Sequence, residues 1–257
     1  MKLRGYVALS IISLGLLAAD PVQRFVIAPW VGLRPGRRIP ALGRWIQFMA
    51  WLVTMPIVRL GRATIPVPRR IVPAKPGNLI LMNHQSVFDI PLVVQTVDHG
   101  YPRIVTRKRY SRSIPLVSHM VRLYQYPVVD AGANKTTLRG TLDSLEEVGR
   151  TTDVPIAVFP EGTRAREGEI GRFRLGGLSR LLAARDWTVY VFVADGFWRA
   201  AKFATLVSGM ADIDGKFVHA GTLEWTDPTA DSGPFIEQVR QMMVEALAEL
   251  RGAISSA

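Results

Sequence analysis

One of the four histidines of the chain lies near a carboxylate and directly after an apolar run. The segment from Asn83 to Asp89 reads NHQSVFD, and it follows Leu79–Met82, a run with the composition of a buried strand. A neutral histidine can take a proton from an alcohol, and a carboxylate that accepts a hydrogen bond from the other ring nitrogen fixes the tautomer. His84 is therefore a candidate general base, and Asp89 is the nearest candidate to orient it.

The spacing of this pair restricts where the histidine lies. Side chains five residues apart on a regular helix point roughly 140° apart, so His84 and Asp89 meet only if His84 lies on the turn before the helix. Asn83 or Ser86 would then cap that helix, and the N–H groups of the turn would be available to an oxyanion. A structural or capping role for the histidine explains the same residues. Ser86 lacks the glycine-flanked elbow of a serine hydrolase.

A second polar segment follows another apolar run, Pro155–Phe159. It continues as PEGTRAR, in which Gly162 permits a tight turn with exposed N–H groups, and Arg164 and Arg166 add positive charge. Such a loop suits a phosphate monoester or diester. The arginines alone also fit a solvated surface turn, but Glu161 beside an anion site must have a partner or orient another group.

Short apolar runs alternate with helical patterns from about Ile71 onwards, after a proline-rich connector over Thr64–Asn78. The predicted strands are Leu79–Met82, Arg103–Thr106, Pro127–Val129, Pro155–Phe159, Thr188–Ala194 and Lys216–Glu224. The predicted helices lie near 86–97, 134–149, 174–185 and 234–251. This order predicts an α/β domain over residues 71–257 that is large enough for a hydrophobic core, with a mixed, largely parallel sheet flanked by helices. Both polar segments then follow strands, where α/β proteins bind ligands.

The positive charge is concentrated at the other end of the chain. Residues 1–70 contain eleven Lys and Arg and a single acid, Asp20, so they carry +10 of the net charge of +11. The same region contains the longest uncharged apolar runs, Gly5–Ala19, Phe25–Leu33 and Trp45–Val58. Segments that are both basic and apolar are typical of membrane surfaces, whereas nucleic-acid arms are basic and polar.

We expect residues 1–70 to form a membrane-embedded helical hairpin. Fifteen helical residues reach roughly 22 Å, less than the ~30 Å of the hydrocarbon core, which favours a hairpin that dips into one leaflet. The basic stretch Arg34–Arg44 would lie at anionic headgroups, where each basic residue contributes about 1 kcal/mol. A cleaved signal peptide and ordinary buried helices of a soluble domain are the two alternatives.

The composition excludes several classes of function. The chain has no cysteine, which excludes a disulfide scaffold, a cysteine nucleophile and a thiolate metal site. No bound metal is expected, because the four histidines lack paired ligand spacing. Residues 71–257 are almost neutral and show no basic stripe with stacking aromatic residues, so we expect no nucleic-acid partner.

Taken together, the two polar segments resemble motifs I and III of the glycerolipid acyltransferase family, whose best-known members are the lysophosphatidic acid acyltransferases. NHQSVFD and FPEGTRAR stand in the family's order, roughly seventy-five residues apart, and each follows a predicted strand. The resemblance covers roughly residues 71–225. The hydrophobic N-terminus is similar to that of the bacterial members.

The resemblance implies a membrane-bound O-acyltransferase that moves a fatty acyl chain to the sn-2 hydroxyl of lysophosphatidic acid. The co-substrate would be an acyl-CoA or acyl-carrier-protein thioester, with no bound cofactor. His84 would be the general base oriented by Asp89, and the acceptor would be bound by Glu161, Gly162, Thr163 and Arg164. The implied partners are anionic membrane lipid and, if it is the donor, acyl carrier protein. The implied location is the cytoplasmic face of a bacterial inner membrane.

The chain departs from the family pattern at two places. Asp130 is followed by Ala131, where members usually carry an arginine that contacts the phosphate, and the late Val-Pro element appears as Val189–Ala194 without proline. The cations that could replace the arginine are Lys108, Arg109, Lys135 and Arg139. One alternative is therefore the same chemistry on another lipid acceptor, such as a lyso-aminolipid or a glycolipid. A second is a non-catalytic lipid-binding protein.

Overall fold

A mixed five-stranded sheet forms the centre of the structure, a computed structural model that describes residues 2–130, 135–165, 167–198 and 209–252. Its spatial order is β4-β7-β2-β8-β9, and the first four strands run parallel while β9 is antiparallel to β8. Two short parallel pairs, β1 with β3 and β5 with β6, lie beside it. The strands are β1 (Val72–Pro73), β2 (Asn78–Met82), β3 (Val97–Asp98), β4 (Arg103–Ile104), β5 (Thr106–Arg107), β6 (Val128–Val129), β7 (Ile156–Val158), β8 (Trp187–Asp195) and β9 (Lys216–Trp225).

Helices cover both faces of the sheet. They are α1 (Lys2–Val22), α2 (Ala28–Leu33), α3 (Arg38–Arg59), α4 (Asp89–Gln95), α5 (Val117–Leu123), α6 (Lys135–Thr151), α7 (Leu175–Leu182) and α8 (Gly233–Leu250), and a π-helical turn over Gln23–Ile27 joins α1 to α2. The predicted fold class, a mixed and largely parallel sheet flanked by helices, is confirmed. The predicted helices and most predicted strands are present, with ends that differ by a few residues. The predicted strand Arg103–Thr106 is instead divided between β4 and β5, which belong to different sheets.

Strand β2 shows why the central runs are apolar at every position. Leu79 and Leu81 belong to the core formed with α6, α7 and α8, whereas Ile80 and Met82 belong to the core formed with α3 and α4. Successive side chains of a strand point to opposite faces, so the part of a strand that is covered on both faces, here Leu79–Met82, is apolar at every position. All five residues of β2 are buried.

The first two long helical segments pack antiparallel as a hairpin. Gly15 lies against Leu52, and Gln23 accepts a hydrogen bond of 3.0 Å from the indole N–H of Trp45, so the contacts run in opposite directions along the two segments. Leu42 and Ile46 of α3 are buried in the same core as strand β2. The hydrophobic core therefore continues across residue 70, the domain boundary that the sequence predicts.

The helical segments of this hairpin are longer than the uncharged runs suggested. The helix continues past Asp20 and Arg24, whose side chains pair at 2.8 Å, and the segment extends over Leu3–Leu33. With Pro35–Arg59, two segments among the described residues are long and apolar enough to cross a membrane by length and composition. The predicted length of roughly 22 Å covered only the uncharged run Gly5–Ala19. The helix is longer than this run because Asp20 and Arg24 are accommodated in it as a charged pair.

Two helical glycines provide a test of how closely α3 packs on the domain. A Cβ atom on Gly43 of α3 would lie 2.7 Å from the backbone of Gly100, whereas one on Gly140 of α6 would meet nothing within 4 Å. We expect Gly43→Ala to lower the free energy of unfolding by about 1–3 kcal/mol through overpacking. The matched change Gly140→Ala should raise it by about 0.5–1 kcal/mol through helix propensity. Thermal unfolding of the detergent-solubilised variants measures both, and equal shifts would contradict the packing.

Candidate active site

The structure brings His84 and Asp89 into direct contact at the carboxyl end of β2. His84 lies on the turn before α4, and Asp89 is the first residue of that helix. The imidazole Nδ1 is 2.8 Å from Asp89 Oδ2. The carboxylate is fully buried, while the histidine side chain keeps 17% of its surface exposed. A fully buried carboxylate thus orients a ring that is partly exposed at the surface.

Asp89 uses a single oxygen for three hydrogen bonds. Besides His84, Oδ2 accepts from the backbone N–H groups of Gln85 at 2.6 Å and Ser86 at 2.7 Å. A carboxylate in this position assigns the proton of the ring to Nδ1, which leaves the Nε2 lone pair available as a base. Among the described residues, none hydrogen-bonds Nε2. The ring also stacks on Phe159, with centroids 4.4 Å apart, which limits its rotation.

The polar residues around His84 do not all act as the sequence predicts. Asn83 does not cap α4, because its amide bonds the N–H of Ala194 at 2.8 Å and the carbonyl of Ala194 at 2.9 Å, tying β2 to β8. Ser86 Oγ accepts the N–H of Phe88 just before the helix, at 3.0 Å. The expectation that the turn offers N–H groups to an oxyanion is wrong for His84, Gln85 and Ser86, because carboxylates already occupy these donors.

Glu161 joins the second polar segment to the first. Its Oε1 accepts the backbone N–H of His84 at 3.0 Å, and its Oε2 accepts the N–H of Gly171 at 3.2 Å. Burial raises the pKa of Glu161 above its ordinary value, against the opposing effect of these two hydrogen bonds. This carboxylate has the partners that its sequence position required, and they are backbone groups of two loops.

The loop after Glu161 adopts a tight turn that only glycine accommodates easily. Gly162 has φ +64°, and a Cβ atom there would lie 2.5 Å from the Arg174 side chain. The loop is held beside motif I because the N–H of Ala165 donates to the carbonyl of His84 at 2.7 Å. Thr163 is exposed and Arg164 is partly exposed at this edge. Arg166 lies outside the described residues.

The cations proposed for the acceptor site have different neighbours. Lys108 pairs with Asp130 at 2.8 Å, and the Arg109 guanidinium lies over the ring of Tyr110 at 4.7 Å. Arg107, which the sequence argument did not select, donates from Nη2 to the carbonyl of Gly162. Arg107 is the last residue of β5, whereas Lys108 begins a short 3₁₀ turn over Lys108–Ser111 and its amine is held by Asp130. The side chain of Lys135 lies outside the described residues.

Within residues 2–130, 135–165, 167–198 and 209–252, no group of three or more His, Asp or Glu side chains is arranged to hold a metal ion. The groups at the site that can take part in proton chemistry are His84, its two carboxylate neighbours and the cations of the adjoining loop. The carboxylates are both buried, whereas the histidine and the loop reach the surface. This arrangement suits removal of a proton from a hydroxyl group next to an anion.

Comparisons with known proteins agree with this chemistry. The model of the acyltransferase family matches residues 67–194, about half of the chain, and the match contains His84, Asp89 and the Glu161 loop. A search of curated protein sequences gave no match. The fold is similar to that of the 1-acyl-sn-glycerophosphate (LPA) acyltransferase PlsC from Thermotoga maritima. The TM-score is 0.62 at 18% identity, over 97% of this chain and 94% of that chain.

The family match covers the region that holds both polar segments, and the similar structure shows that the whole chain adopts the same fold. Acyltransferases of this family use an acyl thioester as a co-substrate and need no bound cofactor. The match to the acyltransferase family favours an enzyme over the alternative of a lipid-binding protein without catalytic activity. The chain belongs to the acyltransferase family and is an O-acyltransferase.

Proposed function

We propose that this enzyme transfers a fatty acyl chain from an acyl-CoA or acyl-carrier-protein thioester to the sn-2 hydroxyl of lysophosphatidic acid. The observation that carries the proposal is the 2.8 Å bond between His84 Nδ1 and Asp89 Oδ2 at the end of β2. This hydrogen bond leaves Nε2 of His84 free to act as the base, and the chain belongs to the acyltransferase family, whose reaction needs a base for the acceptor hydroxyl. The acceptor is favoured because PlsC of Thermotoga maritima, which has the same fold, is described as an LPA acyltransferase.

The reaction follows from the position of the ring. The acceptor hydroxyl attacks the thioester carbonyl while His84 Nε2 takes its proton, so a C–O bond forms without an enzyme nucleophile. The imidazolium that results is stabilised by the Asp89 carboxylate on Nδ1. The C–S bond then breaks, and the proton passes from Nε2 to the leaving thiolate. The products are the ester and the free thiol, and the histidine returns to its starting state.

We assign the phosphate of the acceptor to the cations of the loop beside His84. Arg164 and Thr163 lie at the surface of this loop, and Arg107 contacts the carbonyl of Gly162. Arg binds phosphate with two parallel hydrogen bonds, which makes it suited to this task. Glu161, which the resemblance assigns to the same site, acts here by holding the backbone of His84 and Gly171. Its negative charge would repel the phosphate.

One observation favours a second candidate, the same chemistry on a lyso-aminolipid or a glycolipid. The residue after Asp130 is Ala131 instead of an arginine, and Asp130 is instead paired with Lys108. The positive charge of Lys108 is thereby partly offset by a carboxylate. A phosphate on the acceptor is then bound mainly by the loop over 161–165. An acceptor without phosphate would depend on that loop much less.

Acyl transfer by the purified enzyme tests the proposal. With labelled acyl thioester and lysophosphatidic acid, we expect wild type to form phosphatidic acid and His84→Ala to lose about 10²–10⁴-fold in rate, because the general base is removed. His99→Asn is the matched control, because His99 is 86% exposed and its positive φ suits asparagine. Equal rates for His84→Ala and wild type would contradict the base.

A panel of acceptors then separates the two candidates. Lysophosphatidic acid, a lyso-aminolipid and a lyso-glycolipid with the same acyl chain are compared at equal concentrations. Faster transfer to lysophosphatidic acid supports the phosphate-bearing acceptor. Faster transfer to either of the others, with the same loss in His84→Ala, assigns the chemistry to a different acceptor. The same assay with acyl-CoA and acyl carrier protein identifies the donor.

The proposed reaction places the enzyme at a membrane. The two long N-terminal segments expose large apolar side chains, among them Phe25 at 77%, Phe48 at 47% and Trp51 at 50%. Residues 1–70 also carry a charge of +10. Aromatic and basic side chains together are typical of helices at a lipid interface. Because the acceptor resides in the bilayer, an anchored enzyme binds it without extracting it. We place the enzyme on the cytoplasmic face of the bacterial inner membrane, where the resemblance locates it.

Fractionation without detergent tests this location. We expect the full-length protein to stay with the membranes after a wash in high salt, because burial of apolar surface does not depend on ionic strength as surface charge does. Detergent should release it. Release by high salt alone would contradict insertion of the N-terminal helices into the bilayer, because the protein would then be held only by charge. Recovery of the protein in the soluble fraction before the salt wash would contradict membrane association.

A further inference from the structure

An arginine at the end of the last helix reaches the strand next to the active site. Arg251 follows α8, and its guanidinium holds Asp195 at the end of β8 with two bonds, Nε to Oδ2 at 2.8 Å and Nη2 to Oδ1 at 3.1 Å. The same group donates to the carbonyl of Gly168 at 3.0 Å and to Glu169 at 2.6 Å. Arg251 therefore joins the last helix, the end of β8 and the loop after motif III.

Asp195 in turn holds the residue that follows His84. Its Oδ1 accepts a hydrogen bond of 3.1 Å from the Gln85 side-chain amide, which also donates to the carbonyl of Gly168 at 3.1 Å. The amide oxygen of Gln85 accepts the N–H of Phe197 at 3.1 Å. Gln85 is fully buried. Its side chain is thus fixed at both ends of the amide, and its backbone N–H forms the 2.6 Å bond to Asp89.

The electrostatics of Asp195 agree with the contacts that Arg251 makes to it. Burial by itself would raise the pKa of Asp195, but the hydrogen bonds from Arg251 and Gln85 outweigh it and hold the pKa below the ordinary value. Without the guanidinium, a largely buried carboxylate would lose its counter-charge. It would then turn to water or protonate, and in either case the acceptor for Gln85 would change.

We propose that Arg251 is a positioning residue for the active site, acting through Asp195 and Gln85 to fix the turn that carries His84 and holds Asp89. The proposal rests on the function proposed above, in which these two residues transfer the proton. Arg251 itself contacts neither of them. Its effect should therefore fall on the rate of the chemical step and on the rigidity of the turn, with little change in the affinity for either substrate.

Three variants separate this role from a general contribution to stability. Arg251→Met removes the charge and the fork of donors but keeps most of the apolar stem. Arg251→Lys keeps the positive charge on a single ammonium group, which cannot form the two parallel hydrogen bonds to Asp195. Arg240→Met is the matched control, because Arg240 lies on the same helix, is 31% exposed and bonds Glu237 one turn away.

Two measurements are made on the full-length detergent-solubilised enzyme: kcat and KM for acyl transfer, and amide hydrogen exchange followed by mass spectrometry. For Arg251→Met we expect kcat to fall by about tenfold or more, as for a small misplacement of a catalytic group. KM should change by less than about threefold, because uniform binding is retained. Exchange over residues 84–89 should accelerate by about tenfold as the turn opens locally. Arg251→Lys should lie between, and Arg240→Met should match wild type.

The outcomes decide the proposal independently of the proposed function. Wild-type kcat and unchanged exchange in Arg251→Met would overturn it, while activity of wild type would leave the proposed function intact. Faster exchange spread over α8 and the whole sheet would also overturn it, since the role would then be global stability. If wild type acylates none of the acceptors, the proposed function fails. The exchange of residues 84–89 then still shows whether Arg251 holds the turn.

Discussion

A buried carboxylate that must be satisfied by hydrogen bonds determines the arrangement of the site. Asp89 is fully buried, and an ionised group in that position is tolerated only when donors replace the water it has lost. Two of its donors are consecutive backbone N–H groups, of Gln85 and Ser86, and the third is the His84 ring. Satisfying one oxygen therefore shapes the turn, orients the imidazole and sets its tautomer at the same time.

The second buried carboxylate extends this constraint to another part of the chain. Strands β2 and β7 are parallel neighbours, so the loops that follow them lie at the same edge of the sheet. Glu161 uses this proximity to hold the N–H of His84, and the N–H of Ala165 returns a bond to the carbonyl of the same residue. The turn that carries His84 is thus fixed from both sides by residues about 80 positions away in the chain, because the loops after parallel neighbouring strands lie at the same edge of the sheet.

Much of this could be predicted from the sequence, because the local signals were strong. Apolar runs marked the strands, and the five-residue spacing required His84 to lie ahead of the helix that begins at Asp89. What escaped prediction depends on contacts between distant segments. Nothing local shows that Asn83 bonds β8, that Arg107 instead of Lys108 faces Gly162, or that carboxylates take the N–H groups of the turn. The length of the first helix was hidden by Asp20 and Arg24, which pair with each other.

The substitution Asp89→Asn shows whether the charge of Asp89 acts on His84. Because Asp89 Oδ1 has no partner among the described residues, an asparagine can keep its oxygen on all three donors and turn its NH₂ into that place. The fold then loses about 1–3 kcal/mol for the unpaired NH₂. We predict that kcat, corrected for the folded fraction, falls by about 10²–10⁴-fold, the range of general-base catalysis, because the imidazolium loses its counter-charge while the ring keeps its tautomer. A kcat close to that of wild type in the folded variant would mean that the charge of Asp89 does not act on His84.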